Sequence, residues 1–153
     1  MSETEDIKRD FFIKEQKRRR KVMKKGRYSP EQADYAFGGI NSVSTEFRGI
    51  IAKALSNLPK EIVDWTAEVA LFISSSDEYW AFTLPKDEFE HKKGFIFLSE
   101  GLKRESEEKQ AFIIAHEIAH LKLSHRSPIL SRLSEKETKR QEREADNLAK
   151  TWF

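Results

Sequence analysis

The chain contains no cysteine. That excludes disulfides and any cysteine-ligated zinc, and it fits a reducing compartment. No apolar run reaches the roughly 18 residues that a membrane-spanning helix needs. The opening MSETEDIKRD is acidic and then mixed, without the basic-then-apolar layout of a signal peptide. No internal repeat occurs, and no zinc finger or aromatic stacking module marks a specific nucleic-acid reader. These absences lead us to expect a soluble, cytoplasmic protein with no membrane contact. The length of 153 residues suits one domain, with 38% hydrophobic residues to build a core and 35% charged residues to cover it. The net charge of +2 is spread unevenly.

Most of the positive charge near the N-terminus lies between Lys14 and Arg27. The segment IKRDFFIKEQKRRRKVMKKGRY reads as a basic helix with a small apolar stripe at Ile7, Phe11 and Phe12, stopped at Gly26. Such a run can bind nucleic acid or another polyanion, or it can be a solvated helix or tail. Ser29, Pro30 and Gln32 form a helix start, and Gly38 and Gly39 end that short helix. Val43, Phe47, Ile50, Ile51, Ala54, Leu55 and Leu58 recur at helical spacing, closed by Pro59. EVALFISS, EYWAFTLP and KGFIFLS read as short strands. They predict an α+β fold with a small, mostly antiparallel three-stranded sheet packed on helices. Two further helices follow, one entered at Ser106 and one from about Glu135 to Trp152. Ala145, Leu148, Ala149 and Trp152 mark the apolar side of the second. Tyr79 and Trp80 have no assigned role, and His91 sits in a charged loop.

The stretch AFIIAHEIAHLKLSH holds three of the four histidines. His116 and His120 are four apart, so on a helix they share a face, with Cβ atoms roughly 5–6 Å apart. Two imidazoles so placed can supply two corners of a tetrahedral zinc site. Glu117, one position on, lies beside such an ion and can act as general base toward a zinc-activated water. Zinc lowers the pKa of that water from 15.7 to about 7. This is the mechanical content of the H-E-x-x-H pattern. The uncharged residues around the motif predict a largely buried helix. A buried His-Glu-His cluster without function would still need every polar group satisfied.

A catalytic zinc site needs a third protein ligand. His125 is five residues beyond His120, about 140° around an unbroken helix, so it should point away. The metzincin pattern places a third histidine where Arg126 stands, and no glycine breaks the helix before His125. His125 is therefore expected as a groove-lining or supporting residue. The last helix offers Glu142 and Asp146, one turn apart on one face. Glu142 can supply an oxygen ligand. Asp146 can orient a ligand histidine by accepting its other N–H. Glu144 is the rival, about 200° around the helix from Glu142. A solvated acidic face is the alternative for all three.

FIIAHEIAHLKLSH followed by EREADNLAKTWF resembles the ImmA/IrrE group of gluzincin metallopeptidases. GFIFLSEGL resembles the strand and loop that precede the motif there. The likeness runs from Lys93 to Phe153. It implies a zincin-like fold with zinc on His116, His120 and Glu142, Glu117 as general base and Asp146 as their companion. It also implies cleavage of a regulatory protein. Ala119 stands where many members have glycine and Leu148 where phenylalanine is usual, and no further domain is expected after Phe153. The resulting division is a basic helical extension over residues 1–28 and a zincin-like metallopeptidase domain over 29–153. Two functions follow. One is a zinc-dependent peptidase acting on a protein or peptide. The other is a non-catalytic metal-binding module whose basic N-terminus binds nucleic acid. The oligomeric state is not encoded in any of these motifs.

Overall fold

In the computed structural model, the described residues are Arg9, Asp10, Ile13, 26–40, 43–75, 81–86, 93–128 and 131–153. Most of the Lys14 to Arg27 run lies outside them, as do Ile7, Phe11, Phe12, Tyr79, Trp80 and His91. Helix α1 spans Pro30–Ala36. The Ser29 hydroxyl accepts from the Gln32 N–H, and the Gln32 side chain accepts from the Ser29 N–H, as the sequence predicts. Gly38 and Gly39 carry φ of 67° and 92°, which lets the chain turn away at the helix end. Asp34 then ties α1 to α2, Thr45–Leu55, by accepting from Arg48 Nε at 2.9 Å and Nη2 at 2.7 Å. The α2 stripe of Phe47, Ile51, Ala54 and Leu55 is buried, as its spacing requires.

Helix α3, Lys60–Val69, begins directly after Pro59 and buries Ile62, Val63 and Thr66. The sequence reading leaves 60–67 unassigned and puts Glu68 and Val69 in the strand that follows, whereas the helix takes them in. Its last residue leads straight into β1, Ala70–Ser75. Strands β2, Ala81–Leu84, and β3, Gly94–Ser99, complete a sheet of order β1-β3-β2.

The α+β class and the three strands are as expected; the sheet itself is mixed. β1 pairs with β3 in parallel, Ala70 to Gly94 through Ser75 to Ser99, while β2 pairs with β3 antiparallel. Strand direction depends on which pairs form, and short apolar strands carry no local mark of it. Ile96 and Leu98 of β3 face the helices with Phe72 and Thr83, all buried. Phe82 stacks on Phe97 on the other face, with centroids 4.5 Å apart.

Helix α4, Glu107–Lys122, is buried without interruption from Gln110 to Ala119. Its C-terminal turn reaches the sheet at Gly94, where a Cβ would stand 2.8 Å from Leu121 Cδ2 and 3.3 Å from the Leu84 carbonyl. Helix α5, Glu135–Lys150, packs along α4. The Ser134 hydroxyl accepts from the Glu137 N–H and starts it. No described helix is long and apolar enough to cross a membrane.

Ala115 and Ala119 on α4, and Ala145 and Ala149 on α5, are all fully buried. Glu142, Ala145, Asp146 and Ala149 fall at i, i+3, i+4 and i+7, so the acidic residues share a stripe with the alanines. Small residues in that stripe let the helices approach closely. An Ala145→Leu substitution should therefore destabilise the fold by about 1–3 kcal/mol through overpacking. Urea denaturation should show a lower midpoint with an unchanged slope; an unshifted midpoint would mean that the contact has slack.

Candidate metal centre

The two histidines of α4 meet the acidic stripe of α5. His116 Nε2 is 3.0 Å from His120 Nε2 and 3.0 Å from Glu142 Oε2. His120 Nε2 is 3.0 Å from Glu142 Oε1. A ligating atom from each of the three residues lies within 4.8 Å of the others. Asp146 Oδ1 is 2.6 Å from His116 Nδ1. Glu144 stays outside this cluster, beside Arg140 at 3.3 Å and His125 at 3.4 Å.

The outer contacts fix where the ring protons belong. A carboxylate only accepts, so His116 Nδ1–H donates to Asp146, and His125 Nε2–H points to Glu144. His125 Nδ1 then accepts from His120 Nδ1–H across 2.9 Å. Both Nε2 atoms are left with lone pairs, facing each other and the Glu142 oxygens. A knot of acceptors at 3.0 Å is repulsive unless a cation sits among them. Two imidazoles and a carboxylate are also the donor set that zinc takes in open, three-ligand sites.

A proton can serve as the shared cation. Burial works against a charge on His116, but the carboxylates of Asp146, Glu142 and Glu117 outweigh it and hold its pKa up at about 9. Burial also pushes Glu142 up, and His116 and His120 outweigh that and hold it well below the usual carboxylate range. Asp146 shows the same balance, with burial overcome by His116 and Arg9. His125 is pushed below its ordinary value by burial and by His120, against the pull of Glu144.

His125 arrives by an unexpected path. The helix stops at Lys122, and Ser124 takes a φ of 54°, a conformation that non-glycine residues seldom adopt. That residue turns the chain back so that His125 meets His120, where an unbroken helix would have carried it away. The following loop is held by Gln141, whose side chain accepts from the Arg126 N–H and donates to the Arg126 carbonyl, both at 2.9 Å. Loop and centre border a cleft of about 320 Å³, lined by Glu117, His120, His125, Arg126 and Glu142, with Ala81, Phe82 and Thr83 of the edge strand β2 opposite.

Glu117 is buried and does not join the three-residue cluster. One of its oxygens accepts from Thr83 Oγ1 at 2.9 Å. Sequence reasoning missed Thr83, since nothing in a four-residue strand tells which residue will face a helix 34 positions away. It missed Arg9 for a similar reason: one arginine in a basic segment has no distinguishing mark.

The Peptidase U49 model matches residues 51–153, more than half of the chain. The chain belongs to the Peptidase U49 family. That places it among peptidases, and the matched region takes in α3, the sheet, α4 and α5, so His116, Glu117, His120 and Glu142 all fall within it. The Peptidase U49 match does not extend to the ImmA/IrrE group, which the motifs alone resemble. No curated protein and no solved structure matches the chain.

The pKa of His116 gives a pH dependence. Its folded value of about 9 is above the ordinary 6.5, so the protonated form favours the folded state. The stabilisation is complete below pH 6.5 and is lost as pH rises through about 9. The loss is on the order of 3 kcal/mol. Protein stripped of metal with a chelator should melt at a lower temperature at high pH than at pH 6.5. A His116→Asn variant should flatten that slope, and an equally steep slope in the variant would rule His116 out as its source.

Proposed function

We propose that this chain is a metal-dependent peptidase, with zinc held by His116, His120 and Glu142 and with Glu117 as general base. The observation that carries the reading is that His116, His120 and Glu142 bring their ligating atoms within 4.8 Å of one another, with the buried Glu117 carboxylate beside them on the wall of the cleft. When bound, zinc would act as a Lewis acid, polarising the scissile carbonyl and acidifying water.

The chain's own residues divide the remaining work. Asp146 holds the His116 ring by its Nδ1–H, and His125 holds His120 in the same way. Both leave Nε2 free to ligate. Thr83 donates to one oxygen of Glu117 and fixes its direction. The second oxygen can take a proton from the attacking water and pass it to the leaving amine. Edge strand β2 forms one wall of the cleft, and an extended peptide can lie along such an edge by main-chain hydrogen bonds. That supports a protein or peptide substrate, with a regulatory protein as the class that the ImmA/IrrE likeness implies. A purely structural metal site would be closed by four protein ligands and would have no use for a base beside it.

Purified protein should hold about one zinc per chain. His120→Ala should abolish stoichiometric binding. Glu142→Gln should weaken it strongly and Glu144→Gln should not. Glu117→Gln should keep both zinc and fold, while hydrolysis falls by about 10²–10⁴-fold. That variant can also trap substrates uncut, and wild-type protein should then cleave what it traps. The proposal is lost if the protein stays metal-free after zinc addition at neutral pH, or if Glu117→Gln cleaves a trapped substrate at the wild-type rate.

A further inference from the structure

We infer that Arg9 is a positioning residue for the metal centre: it clamps Asp146, so that Asp146 can hold the His116 ring. The inference rests on the reading of His116, His120 and Glu142 as metal ligands. It also joins the N-terminal extension, which the sequence reading keeps apart from the site, to the centre itself.

Arg9 lies 137 positions before Asp146 and outside the family match of residues 51–153. Its Nη2 donates to Asp146 Oδ1 at 2.6 Å. The same oxygen accepts from His116 Nδ1, also at 2.6 Å. The guanidinium lies over the Phe112 ring, 5.4 Å from its centroid. Phe112 is one turn before His116 on α4, so Arg9 sits directly along the helix from the ring that it helps to orient.

Arg9 is only 5% exposed, and its buried Nε has no hydrogen-bond partner among the described residues. Burying a guanidinium is costly unless its charge is matched. Here the match is Asp146, whose side chain is 18% exposed and borders solvent. Without Arg9, that carboxylate keeps a single described donor, His116, and is free to swing outward. The imidazole would then lose the fixed orientation that aims Nε2 at the centre. Partners that orient a ligand histidine typically change metal affinity by about 10–100-fold when lost. A group acting through such a partner belongs at the lower end.

If Arg9 merely anchored the N-terminal segment, its loss would lower stability and leave metal affinity alone. The test is zinc affinity of the full chain by chelator competition, for wild type, Arg9→Met, Arg9→Lys, Asp146→Ala and the Arg9→Met/Asp146→Ala double variant. Arg9→Met should weaken zinc about tenfold, and Arg9→Lys, which keeps a charged donor, should recover part of that loss. In the Asp146→Ala background, Arg9→Met should cost less than about threefold, because the route through the carboxylate is already gone. Should Arg9→Met not fold, Arg9→Lys with and without Asp146→Ala gives the same comparison. Wild-type affinity in the Arg9 variants, or an equal loss with and without the Asp146 carboxylate, overturns the inference while leaving the metal reading in place. A wild-type chain that binds no zinc removes both.

Discussion

The contact between α4 and α5 is the constraint on which the candidate site depends. Ala115 and Ala119 of α4 and Ala145 and Ala149 of α5 are fully buried. Small residues between the helices let His116 and His120 reach Glu142 at 3.0 Å, and His116 reach Asp146 at 2.6 Å. Side chains as short as Glu and Asp cannot bridge two helices held apart by leucines. Packing and chemistry thus use one stripe of α5, in which the alanines are as necessary to the cluster as the acids.

That stripe concentrates charge where solvent is scarce. Two carboxylates and two imidazoles meet near the floor of the cleft, and Arg9 adds a buried cation behind them. Groups of this kind persist in a low-dielectric site only when each is paired. The contacts run as a chain from Arg9 to Asp146 to His116, and from Glu144 to His125 to His120. Each histidine at the centre is therefore held from behind, with its Nε2 turned toward Glu142. Glu117 has a separate support in Thr83 of the sheet. Glu117 and the His116–His120–Glu142 cluster are thus held by different layers of the fold. The edge strand that holds Glu117 is also a wall of the cleft.

The local signals were legible where one element decides the outcome. Helical spacing placed His116 and His120 on one face, and the helix starts expected at Ser29 and Ser106 are capped by those side chains. Helical angle shows that Glu142 and Glu144 cannot both face the histidines but leaves open which does; the structure puts Glu142 beside both. Helix α3 was not legible, since its last residues, Glu68 and Val69, run without a break into the β-rich stretch and read as part of it. His125 was legible as a neighbour of the site, yet its route was not: a left-handed Ser124 has no sequence signature of the kind that glycine provides.

The sequence by itself determined the class of fold, the helices that carry the motifs, and which side chains share a face, because these follow from periods of 3.6 and 2 within single segments. It also held enough pattern for the chain's place in a peptidase family. Only the tertiary structure decided what crosses between segments. It set β1 parallel and β2 antiparallel to β3, turned Thr83 toward Glu117, returned His125 to His120, and brought Arg9 to Asp146. Each of these depends on a contact between residues far apart in the chain. Such contacts are selected by the packing of the whole core, and no short stretch of sequence contains the partner it will meet.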